Sequence, residues 1–179
     1  MNLTAATRRV PILRAMRKTS LCLALLALIL PVVALASVDA GDGTLSVEDG
    51  RGKVTLQARG GVFGRLDRGT LTVYDTTPAD ANFPVVTGAD EPEFFVAGNG
   101  VRYRGTGIRF SVVGGGFKLL VEGRGIDLSV VGKGSGFIKG ETLEPGVYSL
   151  DGADCRKNRT SCELLPDPGV RFKLGAAEK

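Results

Sequence analysis

The feature that most constrains this chain is a glycine pattern that repeats every nine residues between positions 105 and 134. The segments GTGIRFSVVGGG (105–116) and GRGIDLSVVGKG (123–134) lie 18 residues apart and are identical at eight of twelve positions. Between the glycines, apolar and polar residues alternate, as in a strand with one buried face. Glycine reaches positive φ without steric cost, so each unit predicts a short strand and a glycine turn. The pattern therefore predicts an all-β fold.

The order of the buried side chains favours a glycine-rich antiparallel meander. The inward-facing residues have even numbers in one predicted strand and odd numbers in the next. Four-residue hairpins between the strands would keep all of them on one face of the sheet. This arrangement places Phe110 beside Leu119 and Leu119 beside Leu128. Residues 42–75, which hold a less regular form of the repeat, would supply a second layer. We therefore predict a two-layer sandwich or a flattened barrel.

The match at 18 residues also fits a short β-solenoid with 18-residue coils. That fold would stack Ile108 on Ile126, and Ser111 on Ser129, in parallel strands. Only about two coils are regular in this sequence, whereas a solenoid normally needs more units and terminal caps. We favour the meander and keep the solenoid as the alternative.

The first 36 residues have the composition of a secretory signal peptide. Five Lys or Arg residues precede an apolar run at residues 21–35, and Ala34-Leu35-Ala36 is a small-x-small cleavage site. That run of 15 residues would span only about 22 Å as a helix, less than the roughly 30 Å of a hydrocarbon core. We predict cleavage after Ala36. The product is then a single all-β domain, residues 37–179, secreted or in the cell envelope, with no transmembrane span.

The leader also accounts for the basic character of the whole chain. The net charge is +4, but removing the leader leaves 18 basic and 19 acidic residues. A nearly neutral domain lacks the basic excess that nucleic-acid binding requires. We expect no nucleic-acid partner; the partners compatible with this charge are a cell-envelope glycan or protein.

Two cysteines, Cys155 and Cys162, remain after export. In an exported protein such a pair is by default a disulfide, and we predict that the two are joined. Apolar segments at residues 146–150 and 170–174 predict closing strands around this cysteine loop. Residues 76–92 contain Pro78, Pro84 and Pro92, and predict a long loop.

Histidine is absent from the chain, which excludes Ser-His-Asp and Cys-His hydrolysis and metal sites built on imidazole. Calcium-binding glycine repeats need an aspartate in each unit. Here two regular units carry Arg109 and Lys118 at that place, and only the third carries an acid, Asp127. We therefore predict no catalytic residue, no cofactor and no metal ion.

The candidate binding residues are Arg102, Arg104 and Arg109, whose outward positions form a basic stripe suited to an anionic glycan or a carboxylate. We predict an exported, non-catalytic structural or binding module. The alternative is a carbohydrate-binding protein or a carboxylate-dependent glycosidase, with Tyr74 or Tyr148 as the aromatic platform for a sugar ring.

Overall fold

The computed structural model of the protein describes residues 42–95 and 100–175, which form one sheet of seven strands with antiparallel pairing throughout. The strands are β1 (Gly43–Asp75), β2 (Val85–Ala89), β3 (Glu93–Phe95), β4 (Gly100–Gly140), β5 (Val147–Ser149), β6 (Glu163–Leu164) and β7 (Val170–Leu174). Two short 3₁₀ helices, Pro78–Asp80 and Arg159–Ser161, lie between them. The predicted all-β class is confirmed.

Two unusually long strands, β1 with 33 residues and β4 with 41, make up most of the sheet. β1 pairs with β4 along both of its edges: Val62 lies opposite Val112 on one side and opposite Val130, 18 residues further along β4, on the other. β4 can pair with both edges of β1 in the same antiparallel sense only if it completes a turn between the two pairings. β1 and β4 are therefore an antiparallel ribbon wound into a coil.

The glycines mark the bends of this coil. One row of successive pairing partners consists of Gly140, Gly52, Gly123, Gly69 and Gly105, and a second row consists of Gly43, Gly132 and Gly60. Gly60 has a φ of +138°, and a Cβ at this position would collide with the carbonyl oxygen of Val131, so no other residue fits without a backbone shift. The two rows alternate along β4. The nine-residue unit is thus half a turn, and the 18-residue match is a full turn.

The half turns form two layers around one core. Leu128 and Phe110 belong to one layer, Leu56 and Leu119 to the other, and all four are at least 95% buried in a single apolar cluster. Gly64 lies between Phe110 and Leu128 across the strands, and both side chains extend over the place where its Cβ would stand. Burial of these rows removes most of the apolar surface of the ribbon from water, which is the main stabilising contribution.

The coil corrects the predicted meander. β4 continues through the glycine units without reversing, so the expected four-residue hairpins do not form. Leu119 lies between Leu56 and Val73 of β1, and the expected pairs with Phe110 and Leu128 are wrong. Residues 42–75 do not form a separate layer, because β1 alternates with β4 in both layers. Within the described residues the sheet does not close into a barrel, since the ribbon advances as a spiral.

The solenoid alternative is also wrong in its pairing. Ile108 pairs with Leu66 of β1 in the antiparallel sense, and Ser111 and Ser129 lie on opposite sides of Phe63. A turn of β1 therefore separates successive turns of β4. The 18-residue period does reflect a coil, but the neighbouring strand in that coil runs the other way.

Shorter strands complete the sheet. The predicted closing strands appear as β5 and β7, whereas the loop predicted at residues 76–92 contains the edge strand β2. An edge position explains why Pro84 is tolerated immediately before it. Tyr103 packs against the core, and its burial raises the pKa of its phenol.

Candidate functional site

The predicted disulfide is present: Cys155 and Cys162 are bonded, with their Cα atoms 5.8 Å apart. The loop they close lies against the outer face of the first turn of β1. The backbone N–H of Cys155 donates to the Oγ of Ser46 at 3.1 Å, and Cys155 is 1% exposed. The bond therefore holds a polar loop against the sheet at a defined strand position.

A groove of about 700 Å³ lies between this loop and the sheet. Its floor and walls come from neighbouring turns of β1 and β4, together with residues 152–154, which lead into the disulfide loop, and Arg156 of the loop. The polar, charged and aromatic residues that line it are Thr44, Ser46, Glu48, Phe63, Arg65, Arg109, Phe110, Asp127, Ser129, Asp154 and Arg156. This concave surface combines apolar and charged groups, as ligand sites do.

Phe63 is the exposed aromatic residue of this groove, whereas Phe110, which also lines it, is buried. It is 50% exposed, on an outward position of β1, and its cross-strand neighbours on both sides are serines, Ser111 and Ser129. Side chains directly opposite each other on one face of a sheet are within contact distance. The ring therefore presents an apolar face bordered by hydroxyl groups.

The guanidinium of Arg65 is fixed by carboxylates on two sides. Its Nε lies 3.3 Å from Oδ2 of Asp127, and its Nη2 lies 3.4 Å from Oδ1 of Asp67. The other oxygen of Asp127 accepts a hydrogen bond from the backbone N–H of Asp49 at 2.9 Å. The Nε is buried and makes no hydrogen bond within the described residues. The two ion pairs orient the guanidinium at the floor of the groove.

Glu48 is the carboxyl group with the most distinctive environment. Partial burial, and next the negative charge of Asp127, raise the pKa of Glu48 above its ordinary value. Arg156 from the disulfide loop and Arg65 from β1 act in the opposite direction. Three carboxyl groups, those of Glu48, Asp127 and Asp154, line the same groove, and the pKa of Glu48 is the one that burial raises.

The three arginines predicted to form a basic stripe do not lie together. Arg109 lines the groove, opposite Arg65 and Thr87. Arg102 pairs with Glu93, with 3.4 Å between Nη1 and Oε2, and Arg104 lies on the far side of the glycine row at Gly105. A bend of the coil separates Arg109 from the other two. Binding by any of the three stays a prediction.

The tyrosines proposed as sugar platforms are already engaged with neighbouring side chains. Nζ of Lys118 lies 5.7 Å from the centre of the Tyr74 ring. Tyr148 is buried and donates a hydrogen bond to Oε2 of Glu163 at 3.2 Å. Burial, and then this hydrogen bond, raise the pKa of Tyr148. Neither tyrosine lines the groove.

Sequence reasoning missed Glu48, Phe63, Arg65 and the part Asp127 plays with them. The alternation of β1 contained one usable signal, because Val62 and Leu66 face the core and Phe63 and Arg65 must then face outward. A phenylalanine on an outward position is the kind of exposed apolar residue that marks a binding surface.

Within residues 42–95 and 100–175, no helix is long and apolar enough to cross a membrane. The same residues contain no group of three or more His, Cys, Asp or Glu side chains placed to hold a metal ion. Comparison of the chain with known protein families, curated protein sequences and solved structures finds no match.

Proposed function

We propose that this protein is an exported, non-catalytic β module that binds a saccharide in the groove beneath the disulfide loop. The observation that carries the proposal is the half-exposed ring of Phe63 on the floor of that groove, beside polar groups that are already oriented. A saccharide ring has an apolar C–H face and a rim of hydroxyl groups. It therefore needs an aromatic surface and neighbouring donors and acceptors in the same place.

The charged groups supply these donors and acceptors. The ion pairs of Arg65 with Asp127 and Asp67 hold the guanidinium in one position, which reduces the entropy lost when a ligand binds. Ser129 beside Phe63 adds a hydroxyl that both donates and accepts. Opposite charges within the groove balance, so recognition rests on directed hydrogen bonds more than on net charge.

The test is a saccharide-binding screen with Phe63→Ala and Phe83→Ala as a matched pair. Both residues are exposed phenylalanines, 50% and 71% exposed, but only Phe63 lines the groove. We expect Phe63→Ala to weaken binding at least about tenfold, as aromatic anchors do, and Phe83→Ala to leave it unchanged. Melting curves should change little for either. Equal binding by wild type and Phe63→Ala would refute the proposal.

A second function, glycoside hydrolysis, is favoured by the environment of Glu48. Glycosidases use a pair of carboxyl groups, one of which has a raised pKa, and Glu48, whose pKa is raised, shares one groove with Asp127. Incubation with polysaccharides should separate the two functions. Turnover that is abolished by Glu48→Gln, with unchanged melting temperature, would establish the enzyme. Binding without turnover supports the module.

The proposal includes export with removal of residues 1–36. A disulfide in the domain supports an oxidising compartment outside the cytosol. Amino-terminal sequencing of secreted protein tests the cleavage site. A first residue of Ser37 is the expected result, and a start at Met1 would contradict it.

A further inference from the structure

Next to the groove, one bend of the coil carries a row of arginines. Arg51, Arg124 and Arg68 stand on three successive strands, because Arg124 pairs with Arg51 on one side and with Arg68 on the other. Each is next to a glycine of the row that forms this bend. Adjacent strands lie about 4.8 Å apart, so the three guanidiniums project from a line across the ribbon.

A cleft of about 380 Å³ is lined by this arginine row and by Asp49, Asp67 and Glu144. Nη2 of Arg51 lies 3.8 Å from Oε2 of Glu144. For Arg68 and Arg124 the described residues provide no side-chain hydrogen bond and no ion pair. Two forked donors in a concave site are therefore available for a ligand.

We infer that the arginine row binds carboxylate groups of an acidic saccharide, so that the ligand of the groove is a uronate-type chain; this rests on the proposed function. Guanidinium forks match carboxylates through two parallel hydrogen bonds. The negative charges of the three carboxylates in the cleft balance the positive charges of the three arginines. The net electrostatic attraction for a densely charged polyanion is therefore small. A saccharide has diluted charge, and its hydroxyl groups can donate to Asp49 and Asp67.

The arginine row and the groove are joined by continuous contacts. Asp67 packs its carboxyl group over Gly125 in the cleft and pairs with Arg65 in the groove at 3.4 Å. The backbone N–H of Asp49, in the cleft, donates to Asp127, in the groove. A chain of sugars that stacks on Phe63 can therefore continue along the strands to the arginines.

The experiment compares uronate oligosaccharides, such as trigalacturonate, with their methyl esters by titration calorimetry on the mature protein. The ester keeps the sugar and removes only the charge. We expect the acid form to bind at least about tenfold more tightly, the usual effect of a forked carboxylate contact. Arg124→Ala should remove most of this preference and leave the affinity for the ester unchanged. Arg124→Lys should restore only part of it, because an ammonium cannot form the paired bonds.

Arg59→Ala is the matched control, since Arg59 is an exposed arginine beside Gly60 in the other row of bends. It should leave the preference intact. If no uronate binds more tightly than its ester, or if Arg59→Ala acts like Arg124→Ala, the inference is overturned. Phe63→Ala separates the two proposals. If Phe63→Ala weakens binding of the acid and of the ester alike, the proposal for the groove stands. If only Arg124→Ala weakens binding, the proposal for the arginine row stands and the one for the groove does not.

Discussion

The coil of β1 and β4 holds its shape by repetition, whereas the disulfide loop beside it is held by a few individual contacts. In the coil, residues such as Val62 have β4 on both sides, and the apolar rows form one continuous core. Residues 156–161 of the loop are all exposed. The coil is therefore stabilised by buried area, and the loop by its covalent bond and the hydrogen bond to Ser46. The groove lies where the two regions meet.

The largest effect is expected inside the coil. Leu119→Ala should lower the free energy of unfolding by about 2–5 kcal/mol, because the side chain is 1% exposed between two turns of β1. Leu164→Ala, at a position 68% exposed on the short edge strand β6, is the matched control and should cost no more than about 0.5 kcal/mol. Urea unfolding measures both. Similar losses for the two variants would contradict the division between coil and periphery.

The next effect concerns the loop. Replacing both Cys155 and Cys162 with Ala should lower stability by roughly 2.5 kcal/mol, the chain-entropy cost of releasing a loop of this length. Hydrogen exchange should show that protection falls in residues 150–162 and is retained in β4. Ser46→Ala removes the hydrogen-bond anchor but keeps the disulfide, and should cost only about 1 kcal/mol. Loss of protection throughout the coil would show that the loop is a part of its folding core.

The same contrast explains what could be read from the sequence. The inward sets, such as Phe110 with Val112 and Leu119 with Val121, follow from alternation, and all four are buried. The pairing does not follow, because a glycine with positive φ serves equally well in a hairpin and in a bend of a continuous strand. The contacts that distinguish the coil from a hairpin join Leu119 to β1 residues more than 40 positions away. The repeat in β1 is too irregular to predict these contacts.

The groove was less predictable than the fold for a related reason. The outward direction of Phe63 follows from the burial of Val62, but the position of the loop depends on single contacts such as Cys155 with Ser46. The raised pKa of Glu48 likewise arises from burial and from Asp127, 79 positions away in the chain. Such contacts follow no period, so no pattern in the sequence indicates them.

The smallest effect tests the electrostatics of the groove. Because the folded state raises the pKa of Glu48, the ionised carboxyl group disfavours folding at pH values above the folded pKa. This penalty shrinks as the pH falls through the folded pKa, and it is absent below the ordinary value, where both states are protonated. The side chain of Gln carries no charge, so Glu48→Gln avoids this penalty and should be more stable than wild type at pH 7. The partly solvated position limits the gain to about 0.5 kcal/mol.

Unfolding in urea at pH 7 and at about pH 4, near the ordinary glutamate pKa, measures the difference between Glu48→Gln and wild type. The gain at neutral pH should shrink at acid pH. In an Asp127→Asn background the gain at pH 7 should be smaller, because the neighbouring negative charge is gone and burial alone remains. A gain of the same size at both pH values would mean that it comes from packing of the glutamine amide, and that the two carboxyl groups do not interact across the groove.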